Sequence, residues 1–586
     1  MHIINFYFTR TLFFIFSIIL LTIFSCRRPV AHEREQNRLH LSMAGEVSTL
    51  DPATSYDTIS AAVIYQCYET LYQYHYLKRP YSIVPLLAQD MPVIENNGTR
   101  YIIKIKKNVV YHNDPSIAGT QRVVKASDFI TQFKRLAFHP TKSQGNWMFE
   151  NSIKGVAKFT EIVGDDFSKF ESTPIEGLSA PDDYTLIIDL VAPYPQMLSA
   201  LAMSFSAPIP IESFYYYKND LREHVVGTGP FQLANWTPST GLRLERFEKY
   251  RDDYYPSQGD RVANTSGLLD DAGKKIPFVE GIDFSIMKEG KTRWLSFLKG
   301  KIDFAVLPGD NFSNAITPNR DLTDELKNRN VQLQISPSLT YWWIEFNMKD
   351  PILGKNKLLR KAIAHAIDIE DFIKIYTNYV GLKANSIYPP GVPGYDPARV
   401  LPFEYDLKKA KEFLSAAGFP NGKGLPTLHF DLRADNLTAR EQGNFIAKNL
   451  KHLGINVEVV PNTFPKFLQK AKEGSMQLWQ GGWQMDYPDA ENCLQLLVSE
   501  KIPPGPNSSY YSNPKFDSLF EKLKIMNDGE EKYKLMRQME NIVQEDLPRI
   551  MLFYGRDYIL LHGHLKNFRH SDMIANYMKY IKIDPH

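Results

Sequence analysis

Two periods of hydrophobic and polar positions alternate along this chain. Leu39, Leu41 and Met43 interleave with His40 and Ser42, a period of two that predicts a strand ended by Ala44-Gly45. Over 58–72, Ala62, Tyr65, Leu71 and Tyr72 fall at mostly helical spacing. Strands are predicted at 101–105 and 184–190. Between them a helix is predicted over 128–136, with Phe129, Ile130 and Phe133 on one face and Ser127 as N-cap. Residues 231–236 and 242–247 read as a strand pair, and the polar, Gly/Asp-rich 259–275 as an exposed loop. Strands at 278–287 and 302–307 flank a helix at 292–298.

The second half repeats the mixture. Strands are predicted at 332–335 and 341–346. Leu359, Ile363, Ala366 and Ile367 then form one stripe of a helix, and Asp368 caps the next, with Asp371 in its first turn. A helix over 406–417 stops at Gly418. Strands at 428–432, 457–460 and 477–480 alternate with helices, and two late helices cover 514–526 and 531–545. The pattern is α/β in both halves, without an internal repeat.

At 586 residues the chain exceeds the ~250–300 that one core spans, so at least two lobes are expected. Lys+Arg 68 against Asp+Glu 66 leaves +2, which excludes charge-driven nucleic-acid binding. Three cysteines exclude a disulfide framework and a multi-Cys zinc site. Cys67 and Cys493 are expected to pack as small apolar residues, pairing being the alternative. The N-terminus changes the address. Arg10 precedes an apolar run over 11–24, shorter than the ~20 residues of a membrane span and suited to a secretory h-region. Ile23-Phe24-Ser25-Cys26 resembles a bacterial lipoprotein box. Residues 1–25 then read as a signal peptide, Cys26 as the lipidated residue and 26–37 as a tether, with the working part outside the cytoplasmic membrane. An uncleaved anchor and a simple signal are the alternatives.

Motifs for catalysis are missing. There is no G-x-S-x-G elbow and no Walker sequence, and Gln232 stands where a dinucleotide loop beginning Gly227-Thr228-Gly229 needs its third glycine. His32-Glu33 lacks the second His of a zincin helix. His562, His564 and His570 form the one histidine cluster. A zinc there would need a carboxylate or Cys from elsewhere, and the plainer reading is surface histidines on a strand and turn. The protein therefore reads as no enzyme, without cofactor or metal. A segment fit for holding a ligand remains: Gly481 and Gly482 admit close backbone approach, Trp483 and Tyr487 offer flat walls, and Asp486 offers a charge. Read bare, the segment equally fits an aromatic-rich turn whose Asp caps backbone amides.

Across the mature chain, ordered stretches resemble the solute-binding proteins of peptide and nickel ABC importers, the oligopeptide- and dipeptide-binding group. Ser48-Thr49-Leu50-Asp51-Pro52 resembles S-L-D-P, Tyr68-Glu69-Thr70-Leu71 resembles Y-E-G-L, and Pro85-Leu86-Leu87-Ala88 resembles P-x-L-A. Val110 to Asp114 is similar to V-x-F-H-D-G, Lys125 to Phe129 to A-x-D-V, and Val226 to Phe231 to V-G-T-G-P-Y. Phe346-Asn347, Leu359 to Ile363 and Ala366-Ile367-Asp368 resemble f-N, v-R-x-A-l and A-I-D; Leu453-Gly454-Ile455 resembles L-G-I. Gly482 to Asp489 is similar to G-W-x-x-D-Y-x-D-P, with Ala490 for the last Pro.

The resemblance implies an α/β, two-lobed periplasmic-binding-protein-like fold with an extra subdomain, enclosing its ligand between lobes. Domain I would take 38–68, 200–337 and 555–586, domain II 69–199 and domain III 338–554, with crossings near 336–341 and 553–557. It implies capture of a short peptide by a monomer and delivery to ABC permease subunits, with membrane attachment through the N-terminal lipid. Asp486 would pair with the peptide α-ammonium, and Trp483, Gly481, Gly482 and Tyr487 would surround it. Glu46 and Trp343 would lie near the cleft; an exposed loop Glu and a core Trp are the alternatives. A nickel complex or an oligosaccharide on the same fold, a receptor or chaperone-like role, and an extracytoplasmic hydrolase are the other readings.

Overall fold

The computed structural model describes residues 37–584 except 120, 379 and 504, so Cys26, the signal peptide and all but the end of the tether lie outside it. Among the described residues no helix is long and apolar enough to cross a membrane.

Strand Arg38–Met43 runs parallel to Gly281–Ile286, which continues antiparallel into Gly241–Arg246 and Phe231–Thr237. Leu39, Leu41 and Met43 turn into a core built from residues 39–284 and closed by 559–581. A small sheet of Val93–Glu95, Arg100–Lys104, Thr185–Asp189 and Leu178–Asp182 packs with helix Ala126–Ala137 on the same core. Two further cores draw on residues 339–554. The chain passes between these regions on two long antiparallel strands, Val331–Phe346 and Arg549–His562. They belong to a seven-stranded sheet that also holds Leu478–Gln484, Leu428–Asp431 and Val457–Val460. The architecture is mixed α/β and two-lobed.

Where the structure departs from the sequence pattern, packing decides. The helix expected over 58–72 ends at Cys67, because Gly229 N–H takes the Cys67 carbonyl at 2.8 Å and Tyr72–Tyr74 leaves to pair with Ile83–Pro85. The glycines of Gly227-Thr228-Gly229 serve this contact: a Cβ on Gly227 would meet Cys67 O at 1.9 Å. Helix Ala126–Ala137 starts two residues earlier than a Ser127 cap allows, and the Asp128 carboxylate instead accepts the Lys125 N–H at 2.8 Å. The loop at 259–275 contains helix Arg261–Thr265, capped by Asp260, and buries Ala263 and Asp271. Strands 332–335 and 341–346 are one strand of 16 residues whose pairing lapses between Pro337 and Tyr341. Pro337 has no N–H to give the ladder, which explains the interrupted pattern. Cys67 and Cys493 are both buried free thiols.

Several residues of the recognised stretches hold the fold rather than a ligand. Arg135, fully buried, reaches Asp51 Oδ2 at 2.6 Å and Oδ1 at 3.1 Å, and Asn219 Oδ1 at 2.9 Å. Arg360 donates to the carbonyls of Leu353, Gly354, Asp546 and Leu547. Asn347 Nδ2 bridges the carbonyls of Gly474 and Met476 at 2.8 and 2.7 Å.

Candidate functional site

Strand Leu478–Gln484 runs on past Gln480, where the sequence pattern ends it, so Gly481 and Gly482 lie inside a strand and not beyond its end. They pair with Trp343 and Trp342 of Val331–Phe346. A Cβ on Gly481 would sit 2.4 Å from the Trp343 indole, and one on Gly482 2.4 Å from the Trp342 ring and 2.9 Å from Arg433 Nη1. Each glycine is therefore the seat of an indole, on opposite faces of the sheet.

The two faces differ. Trp343 is 4% exposed, gives its N–H to Glu345 and carries the Arg549 guanidinium 4.3 Å above its ring. The structure thus places it in the core below the sheet. Trp342, on the other face, lines a cavity of about 570 Å³ with Tyr376, Arg433, Phe464, Gln480 and Phe553. That volume lies in the range of small-molecule sites. Arg433 is wedged among Trp342, Phe464 and Phe467, 5.2, 5.5 and 5.8 Å from their ring centres. Burial pulls its pKa down, and among the described residues no carboxylate pairs with it. A desolvated cation without a counter-ion favours any anion that enters the cavity.

Beyond Gln484 the chain turns, and the side chains divide the work. Asp489 caps helix Ala490–Leu494 by accepting the Glu491 N–H at 2.8 Å, and its carboxylate also holds Lys532 at 2.7 Å. Among the described residues no backbone N–H donates to the Asp486 carboxylate. Its Oδ1 accepts from Tyr56 at 2.7 Å and its Oδ2 from Asn492 Nδ2 at 2.9 Å, while Trp483 Nε1 donates to Asn492 Oδ1 at 2.9 Å. The bond from Tyr56 comes from the N-terminal region, 430 residues away in sequence. Tyr487 is buried against the N-terminal core and donates to Glu491 Oε2 at 2.6 Å. Asp486, Trp483 and Tyr487 are thus brought together with Tyr56 and Asn492. Glu46 is exposed and held by Lys288 at 2.6 Å, and among the described residues no hydrogen bond joins it to Asp486.

Sequence reading missed Arg433, yet a positional signal exists. Leu428–Asp431 and Leu478–Gln484 are parallel neighbours, with Asp431 opposite Trp479. Arg433 and Asp486 each follow the carboxyl end of one of them, the place where open α/β sheets bind ligands.

Burial pushes the Glu491 carboxyl up to about 7, opposed by the Tyr487 hydroxyl and reinforced by Asp489. The folded chain then holds this proton more tightly than the unfolded one, so Glu491 lowers stability as pH rises from about 4.5 to about 7. Glu491→Gln keeps an acceptor for Tyr487. It is expected to match the parent at pH 4 and to exceed it by on the order of 1–3 kcal/mol at pH 8, read from urea unfolding at the two pH values.

The sequence model of the bacterial extracellular solute-binding proteins, family 5 (middle), matches residues 82–503. A glutathione-binding protein GsiB of Shigella flexneri is 24% identical over 539 residues, covering 90% of each chain. HbpA2 of Haemophilus parasuis superposes with a TM-score of 0.76 at 22% identity, covering 94% of this chain and 100% of its own. The periplasmic binding protein DppA of Helicobacter pylori, solved with the peptide STSA, gives 0.69 at 24% identity, covering 94% and 99%.

Proposed function

The chain belongs to the bacterial extracellular solute-binding proteins, family 5, the solute-binding components of ABC importers for peptides or related solutes, and we propose that it captures short peptides by both charged ends. The observation that carries this reading is the placement of opposite charges, Arg433 and Asp486, off the ends of adjacent parallel strands. Arg433 seats the carboxylate, and Asp486 seats the α-ammonium, which displaces the Tyr56 hydroxyl as its donor. Asp486 stands four residues beyond Gly482, at most about 13 Å in extended chain, which a peptide of up to about four residues spans. Between the ends, backbone hydrogen bonds hold peptides without regard to side chain.

On this reading the domains keep the expected limits, the lobes close by bending near 336–341 and 553–557, and the peptide is released whole to the permease. The N-terminal Cys26 lipid would hold the protein at the membrane. Arg433→Gln is expected to weaken a free peptide about 10- to 150-fold and to leave its C-terminal amide unchanged, measured by calorimetric titration. Equal loss for both ligands would remove the carboxylate from Arg433. Glutathione, which GsiB is named for binding, offers both charges and belongs in the same titration.

A further inference from the structure

Of the histidines clustered at 562–570, His562 and His564 stay together, their rings stacked with centres 5.7 Å apart. His562 Nε2 lies 2.9 Å from the Phe297 carbonyl, and His564 Nε2 lies 2.7 Å from Asp303 Oδ1, with little of its side chain exposed. His564 is therefore not the surface histidine that the sequence pattern predicts, and His562 is half-buried at the strand's end. His570 meets two carboxylates, Asp572 two residues on and Asp557 13 residues back on the long strand. Its Nε2 stands 3.1 Å from Asp557 Oδ2 and 3.5 Å from Asp572 Oδ1, and the three donor atoms all lie within 4.8 Å of one another.

We infer that Asp557, His570 and Asp572 form a binding site for one divalent transition cation of the zinc class. Ligand atoms about 2.0–2.2 Å from a tetrahedral zinc lie about 3.3–3.6 Å from each other, and the two nitrogen–oxygen separations straddle the lower end of that range. One imidazole with two carboxylates is a donor set suited to zinc, cobalt or nickel. The carboxylates are already aimed. Asp572 Oδ2 accepts from Ser338 Oγ at 2.7 Å and Leu339 N–H at 2.9 Å, which leaves Oδ1 facing His570. The His570 backbone N–H is fixed on Gln334 Oε1 at 2.7 Å, and Asp557 is held in the ladder opposite Ser336. Such outer contacts orient metal ligands. Charge agrees as well: an imidazolium leaves the group at −1, whereas a dication with neutral imidazole brings it to zero. Binding releases the Nε2 proton to solvent and puts the cation in its place; water completes the coordination.

The site lies where the pairing of Val331–Phe346 with Arg549–His562 lapses, and it joins both strands: Asp557 lies on one, and Asp572 holds Ser338 and Leu339 of the other. A cation there braces the passage between the lobes. The site uses neither Arg433 nor Asp486, so it stands apart from the peptide reading.

The test is a titration of the chelator-stripped full chain with Co²⁺, followed by visible absorption, and then competition with Zn²⁺. One Co²⁺ per chain with low-symmetry d–d bands, displaced by Zn²⁺, is expected. His570→Gln and Asp557→Asn should each weaken binding on the order of 100-fold, and His562→Gln should change nothing. Absence of saturable one-to-one binding overturns the inference, as does binding that survives both substitutions or is lost with His562→Gln.

Discussion

Asp486→Asn is expected to weaken binding of a free peptide several-hundred-fold while leaving an N-acetylated peptide nearly as weak as before. An ammonium entering the cleft loses its water, and an ionised carboxylate has to replace that hydration. Asn492 already holds Asp486 Oδ2, so the carboxylate stays oriented when the ligand takes the place of the Tyr56 hydroxyl on Oδ1. Removing one side of a buried ion pair costs about 3–5 kcal/mol, which is the expected loss. The four combinations of parent or Asp486→Asn protein with free or acetylated peptide form a cycle. Losses that fail to add show direct contact. Additive losses would return Asp486 to a structural role, holding Tyr56 and Asn492 alone.

Arg135→Met is expected to cost about 3–5 kcal/mol of stability, the other large effect. The substitution keeps much of the volume but leaves the Asp51 carboxylate buried with its ionic partner gone. Asn219 would lose a donor to its Oδ1 at the same position. The paired change Asp51→Asn with Arg135→Met should recover part of the loss, because the uncompensated charge then disappears. Urea unfolding of the parent, the single variant and the pair measures this. A single Arg135→Met variant as stable as the parent would show that the pair contributes nothing.

Local pattern revealed most elements, since strands such as Arg38–Met43 and helices such as Glu530–Asp546 carry their period in their own residues. It failed where distant chain decided the outcome. The helix at Thr58–Cys67 is ended by a glycine from 229, and two short strands prove to be one because Arg549–His562 pairs along both. The candidate site was legible in its acidic half, which lies in one contiguous motif beside Trp483 and Tyr487. Its basic half was not. Arg433 sits in an unremarkable polar stretch, and only the parallel register of Leu428–Asp431 with Leu478–Gln484 gives it meaning. Trp343 and Trp342 show the same limit: one residue of register sends the first into the core and the second to the cavity. His570 likewise meets Asp557, 13 residues back, only through the fold, although Asp572 stands two residues away.

What the protein holds, on this reading, is both charged ends of a short peptide. Calorimetric titration of the parent protein with tri-alanine and with its N-acetylated, C-amidated form tests this most directly. Saturable one-to-one binding of the free tripeptide is expected, with weakening of at least several-hundred-fold for the blocked one. Equal affinity for the two, or binding of neither while a nickel complex or an oligosaccharide binds, would contradict it.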